Sequence, residues 1–328
     1  MTGSGDESES SRIVQRQPIK IVLESTISSV ALLADGQHFV SGDKNGKIRR
    51  WRMEDGKGVG APMDAESPIC CLATSQDGKW IATGTEGGRV SVRDAESREE
   101  LRRFAKEKGF NSVDISSNGT KIAMARDDKN VDVYSLPDGK WLCGWKGWDY
   151  RTVKLSPDGL LLACVAENEE SSFLCIYDTR PDGKYLGSSQ ISTRSVAWTS
   201  DSKQLFVLSS NGNIHLIEAS GGKTLSRWSI HSNDNPTCIS LSSNGAFIAA
   251  SANSSVSFWD ISTHEQIGSV IDHPHSVNSM AISANNELVF TGNSTILLWD
   301  LRNVLSVPYI QQVCGSSLGQ LRPLHPLR

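Results

Sequence analysis

A repeat constrains this chain more than any other feature. Turn dipeptides punctuate it at Asp35-Gly36, Asp77-Gly78, Asn118-Gly119, Asp158-Gly159, Asp201-Ser202, Asn244-Gly245 and Asn285-Asn286. Asp or Asn beside Gly supplies the positive φ that tight hairpin turns demand. An alternating segment such as SVDIS or SVAWT precedes each turn, and an apolar strand such as WIATG or LVFTG follows. A second turn leads to a third strand: KIRRW, RVSVR, NVDVY, LCIYD, NIHLIE, SVSFWD or ILLWD. The ends of these strands align on Trp51, Arg93, Tyr134, Tyr177, Ile217, Trp259 and Trp299, at intervals of 42, 41, 43, 40, 42 and 40 residues. A period of roughly 40–45 residues is that of one four-stranded propeller blade. A single such sheet cannot bury both its faces, whereas radial stacking covers each face with the next blade and leaves only short, protected edges. The expected fold is therefore all-β: a seven-bladed β-propeller with four antiparallel strands per blade and almost no helix.

Two copies end in Trp259-Asp260 and Trp299-Asp300, and a third ends in Tyr177-Asp178. With these endings and this period the chain resembles the WD-repeat family over about residues 19–303. It departs from the family in lacking Gly-His at the repeat starts and in placing Arg93 and Ile217 at the Trp position. These changes bear on the family's buried His–Ser/Thr–Trp–Asp network and leave the period and the turns intact. The resemblance implies that each repeat gives the three inner strands of a blade and the following stretch gives the outer one. The ring must then close by exchange between the chain ends. PIKIVLES (18–25) alternates like a strand just before the first copy, and is predicted to be the outer strand of the last blade. The propeller is thus assigned to 18–303, with a tail on either side. Residues 1–17 are rich in Ser, Glu, Gly and Arg, a composition that cannot offset ordering entropy, so disorder is expected. In the tail 304–328, VLSVPYI (304–310) is read as a last strand or a segment along the rim. SLGQLRPLHPLR (317–328) spaces Leu318, Leu321, Leu324 and Leu327 three apart, the period of polyproline II. A frayed terminus is preferred there to a docking motif.

The formal net charge of −4 and pI near 6.0 lack the basic footprint of a dedicated nucleic-acid binder. No apolar run approaches the roughly 20 residues of a membrane span. The polar, acidic N-terminus does not read as a secretory signal. Seven scattered cysteines without a CxxC pair read as reduced, mostly buried thiols, with Cys164 and Cys175 facing each other across one hairpin. A cytoplasmic protein is expected, with the nucleus as the alternative. No phosphate-cradling GxxxxGK[ST] and no GxSxG appears. The one compact histidine group, Asp272-His273-Pro274-His275, falls where the family often places a structural His, and that reading is preferred to metal binding. Asp127-Asp128 and Glu167–Glu170 read as turn and solvated residues, and the basic runs at 47–52 and 102–108 are diluted by strand alternation and by acidic neighbours. The expectation is a non-enzymatic scaffold or adaptor, monomeric, with no cofactor and no metal. Its partners are other proteins, with no membrane and no direct nucleic acid. The alternatives are a small-ligand or enzymatic propeller with its site in the central channel, or a chromatin- or RNA-associated adaptor.

The resemblance also implies an interaction face. In the family, the loops entering the first strands and those joining second to third strands lie at one end of the ring. Residues just after each first strand's entering apolar position often meet partners there. In this sequence they are Ser28, Cys70, Asn111, Arg151, Arg194, Thr237 and Asn278, with Lys44, Glu86, Asp127 and Ser210 nearby. Arg151 and Arg194, in adjacent blades, are expected to lie close together and to favour acidic partner surfaces. The competing reading pairs them internally with Asp149 or the Glu167–Glu170 loop. WLCGWKGWDYR (141–151) adds an aromatic cluster. The even spacing of Trp141 and Trp145 predicts one shared face. Tyr150 is expected in the core. Trp148, in a short connecting loop, is read either as a partner anchor or as a lid over the groove between blades three and four.

Overall fold

The computed structural model describes residues 17–230, 235–285, 287–306 and Tyr309. Seven four-stranded antiparallel sheets follow one another around a ring. Six are built from consecutive strands, and the first strands stand side by side around the axis. The only helical element among the described residues other than Tyr309 is a 3-10 turn, Leu301–Asn303.

The local chemistry of the turns is the one their composition dictates. Gly36, Gly78, Gly119, Gly159 and Gly245 have φ between 64° and 79°. In each turn the preceding Asx side chain accepts a backbone N–H two residues on, as Asp77 Oδ1 does from Lys79 at 3.1 Å and Asn118 Oδ1 from Thr120 at 3.2 Å. Copy five holds Ser202 at φ 61° instead of glycine. Its hydroxyl accepts the Asp158 N–H at 3.1 Å, so this serine ties blade five to blade four.

Second and third strands are buried on both faces, as in WIATGT (Trp80–Thr85), and outer strands such as ELRRFA (Glu100–Ala105) are largely exposed. The core is accordingly not one mass. It is distributed among the interfaces between blades, such as the cluster of Val131, Val133, Cys143, Tyr150, Val153 and Leu162 between blades three and four. The seven aligned residues occupy one equivalent register position. Trp51 pairs with Phe39, Arg93 with Ile81, Tyr134 with Ile122 and Tyr177 with Leu162. Ile217 pairs with Leu205, Trp259 with Ile248 and Trp299 with Leu288. Trp51 Nε1 donates to Ser41 Oγ at 2.9 Å and Trp259 Nε1 to Ser257 Oγ at 2.8 Å. Trp299 Nε1 is buried with no hydrogen-bond partner among the described residues.

The ring closes through the N-terminal strand. Ile19–Val22 pairs antiparallel with the third strand of blade seven, Ile19 opposite Leu298 and Val22 opposite Thr295. Cys164 and Cys175 are direct cross-strand partners, both buried and both free thiols.

One expectation is corrected. Trp141 and Trp145 do not share a face. A bulge between Val133 and Tyr134 leaves Leu142 unpaired, so Trp145 lies opposite Val131 and Trp141 opposite Tyr134, whose side chains alternate. Trp141 Nε1 donates to Asp132 Oδ1 at 3.2 Å on the exposed face, and Trp145 stacks on Tyr177. Of the segment 304–310, residues 304–306 form no strand, Val304 and Leu305 pack onto the core of blades six and seven, and 307, 308 and 310 lie outside the described residues. The Leu/Pro segment 317–328 and residues 1–16 lie outside the described residues.

Candidate interaction face

In six of the seven blades the pairing of first with second strand slips near the start of the first strand. The slips fall between Ile27 and Ser29, Ile69 and Cys71, Phe110 and Ser112, Tyr150 and Thr152, Thr193 and Ser195, and Pro236 and Ile239. The residues left out of the ladder are Ser28, Cys70, Asn111, Arg151 and Arg194, with Thr237 and Cys238 sharing the sixth. They include six of the seven positions singled out from the sequence. A bulge removes one residue from pairing and re-aims its side chain, so one backbone device recurs around the ring. The seventh position, Asn278, is exposed just before the first strand of blade seven and donates its N–H to Thr291 O at 2.7 Å.

Backbone bonds bring the second-to-third loops to this same end. Lys44 N–H donates to Thr26 O at 2.9 Å, Glu86 N–H to Pro68 O at 3.0 Å, Asp127 N–H to Gly109 O at 3.1 Å and Ser210 N–H to Ser192 O at 2.7 Å. Lys44 and Glu86 form an exposed ion pair of 2.6 Å between blades one and two. Cys70 sits among them. Its thiol is pushed up to about 11 by burial; Lys44 pulls it down, and Glu86 and Asp127 push it up again. Asp127 also acts on Arg151, whose pKa is raised chiefly by the hydrogen bond to Glu167. Lys44, Cys70, Glu86, Asp127 and Arg151 therefore share one electrostatic neighbourhood over blades one to four.

The remaining predicted residues are held within or between their blades. Asn111 Nδ2 donates to Tyr150 O at 2.9 Å, a bond from blade three to blade four. Ser210 Oγ donates to Ser192 Oγ at 2.8 Å, and Thr237 Oγ1 lies 2.6 Å from Ser251 Oγ. Ser28 Oγ is buried with no hydrogen-bond partner among the described residues. The two arginines differ from the expected pair. Arg151 Nε binds Glu167 at 2.8 Å and its Nη2 binds Asp149 at 3.1 Å, the internal pairing that competed with the partner-facing reading. Arg194 is exposed and makes no ion pair among the described residues. The cause is sequence proximity: Asp149 stands two positions before Arg151, and Glu167 is paired with Asp149 across the strands.

The aromatic cluster turns the corner from this face to the flank. Tyr150 is fully buried, with its hydroxyl 3.0 Å from that of Tyr177. Trp148 is 42% exposed, and its ring meets Phe173 of blade four at 5.1 Å and 89°. It is both a partial cover for the blade and a partly open surface. Gly147 before it has φ 118°, which lets the outer strand of blade three pass to blade four through a two-residue link. Tyr185, which sequence reasoning passed over, is 55% exposed on the outer strand of blade four. A lone aromatic in a short polar strand carries no periodic signal that would have marked it.

His273 is a structural residue. It is buried; its Nδ1 accepts the His275 N–H at 3.0 Å, and Nε2 faces Thr295 O at 3.3 Å. Burial lowers its pKa, which favours the neutral ring that fits these contacts. No group of three or more His, Cys, Asp or Glu suited to a metal occurs among the described residues.

The sequence pattern described as "WD domain, G-beta repeat" matches residues 17–52, 62–94 and 264–300, and the "Anaphase-promoting complex subunit 4 WD40 domain" matches 176–244. These segments together span more than half of the chain and fall on blades of the ring. The chain belongs to the WD-repeat β-propeller family. Within that family it is 23% identical over 287 residues to the B-type cell cycle switch protein ccs52A of Medicago truncatula, covering 79% of this chain and 55% of the relative. Protein FIZZY-RELATED 2 of Arabidopsis thaliana is 23% identical over 267 residues, covering 73% and 51%. An uncharacterized WD repeat-containing protein of Schizosaccharomyces pombe is 39% identical over 75 residues, 22% of this chain and 13% of that one. The WD-repeat chain thus spans about half of the two plant relatives and less of the yeast one. The solved structure of U3-55K superimposes with a TM-score of 0.73 at 13% identity, covering 88% of this chain and 98% of that one, which is a likeness of fold.

Proposed function

We propose that this WD-repeat propeller is a protein-interaction adaptor, and that its partners dock on the ring of bulged residues at the loop end. One observation carries the reading: the same bulge recurs at the same place in six blades while its residue changes from Ser to Cys, Asn, Arg and Thr. A constant scaffold that presents varied side chains outside the ladder suits recognition, since binding residues tend to sit on variable connections held by a rigid frame. The plant relatives match over most of the blades, which supports the propeller as the working unit. Acidic partner groups meet Arg194, the bulged arginine that makes no ion pair among the described residues. The chain acts by binding and not by catalysis. In support, burial raises the pKa of Cys70, Cys71, Cys143, Cys164, Cys175 and Cys238, so these potential nucleophiles stay protonated at neutral pH. Free thiols also suit a reducing, cytoplasmic setting.

The test is affinity capture with mass spectrometry, using the wild type, a Glu86→Lys/Arg194→Glu variant and a control substituted at the opposite end, Gln37→Glu. The loop-end variant is expected to lose specific partners that the control keeps, at an unchanged melting temperature. Recovery of the same partners by all three proteins would sink the proposed face.

A further inference from the structure

The flank between blades three and four carries a second surface, distinct from the loop-end ring. A groove of about 460 Å³ runs along the outer strand of blade four, from Tyr185 at its start to Gln190 just past its end. Its floor is Phe173, Cys175 and Tyr177, and exposed rings of Trp148 and Tyr185 stand above it. The floor is already rigid: Tyr177 is stacked on Trp145 at 4.3 Å and meets Tyr185 at 5.6 Å.

Three features narrow what fits. First, among the lining residues Trp148, Tyr185 and Gln190 carry side-chain N–H or O–H donors without partners among the described residues. A helix satisfies its own carbonyls and has no use for them, whereas polyproline II has no internal hydrogen bonds and presents its carbonyls outward. Aromatic grooves are a recurring receptor for such segments. Second, no Asp or Glu lines the groove, while Lys146 does, and Lys146 makes no ion pair among the described residues. That charge disfavours a cation such as a methylated lysine and favours a neutral ring with a carboxylate beside it. Third, Trp148 and Tyr185 are held by their aromatic neighbours, so little rotamer freedom is lost when a ligand covers them.

We propose that this groove binds an extended, proline-bearing segment of a partner protein, with an acidic residue next to the proline. The proline rings lie against Trp148 and Tyr185, the segment's carbonyls accept from these side-chain donors, and its carboxylate meets Lys146. The proposal does not depend on the loop-end ring, since Glu86 and Arg194 take no part in it.

The experiment is calorimetric titration of the full chain with a synthetic dodecapeptide of repeating Pro-Pro-Glu. The comparison ligands are the same peptide with Pro→Ala, the same peptide with Glu→Lys, and free trimethyllysine. The Pro-Pro-Glu peptide is expected to bind, and Trp148→Ala and Tyr185→Ala each to weaken it by about tenfold or more, as anchor residues do. Lys146→Glu should weaken the acidic peptide and strengthen the Lys-bearing one. Trp148→Phe, which keeps the contact with Phe173, guards against misreading a folding defect. No binding of the acidic peptide, or equal binding of the Pro→Ala peptide, overturns the proposal. So does preference for trimethyllysine, or self-association that Trp148→Ala abolishes, since each assigns the groove a different occupant.

Discussion

Asp260 ends the third strand of blade six and gathers four donors. Ser262 N–H and Thr263 N–H each lie at 2.7 Å, Ser262 Oγ at 2.6 Å and Tyr309 Oη at 2.8 Å. Burial pushes its pKa up, but the hydrogen bonds outweigh burial and hold it at about 2, below its ordinary 3.8. A carboxyl depressed on folding adds stability above its unfolded pKa and loses it as the pH falls through the folded one. This contribution should be complete above about pH 4 and gone near pH 2. Urea denaturation at pH 5 and pH 3 should show a smaller acid loss for Asp260→Asn than for the wild type; parallel losses would count against it. Lys121 illustrates the opposite residue-scale case. Burial lowers its pKa, and its Nζ is spent between blades, donating to Gly159 O and Thr179 Oγ1, both at 2.9 Å. Lys121, at the start of the second strand of blade three, is thus a strut from blade three to blade four.

At the scale of elements, the strand Ile19–Val22 does more than its four residues suggest. It caps the third strand of blade seven, and Ile19 and Ile21 pack with Ile296, Leu298 and Trp51 across the seam to blade one. Deleting residues 1–26 should remove cooperative melting or lower the midpoint by ~10 °C or more, several kcal/mol for a domain of this size. Deleting residues 1–15 should leave the melt unchanged. An unaltered transition for the longer deletion would mean that the ring is not held by this strand. The bulges act at the same scale. They shift the pairing by one residue at the mouth of the first strand in six blades, and the rest of the ladder keeps its inward and outward faces.

Over the whole molecule, closure removes the long open edge that would invite pairing with another copy. Each blade still has an outer edge, but these are short, as in Met63–Asp64, or charged, as in Glu100–Ala105. Natural sheets use both devices against edge-to-edge association. Sedimentation velocity over a wide concentration range should therefore give one species of monomer mass; a shift toward dimer at working concentrations would contradict this.

The sequence by itself determined the ring. Hairpin turns are local, so Asp-Gly and Asn-Gly at a steady spacing announce them without tertiary help, and the period then counts the blades. Alternation in residues 18–25 marked a strand, because a strand with one buried face keeps its pattern wherever it pairs, and the resemblance to the family implied its closing role. The bulge positions were legible as positions through the family resemblance, which placed them just after the residue that enters each first strand. What each side chain does there was decided only by tertiary structure. Arg151 pairs at the surface with Asp149 and with Glu167, which the folded sheet sets opposite Asp149, while Arg194 makes no ion pair among the described residues. Trp141 and Trp145 parted because a bulge depends on the partner strand as well as on their own. The flank groove brings Trp148 and Tyr185, 37 positions apart, to one surface through the packing of two blades, and no periodicity within either strand encodes that meeting.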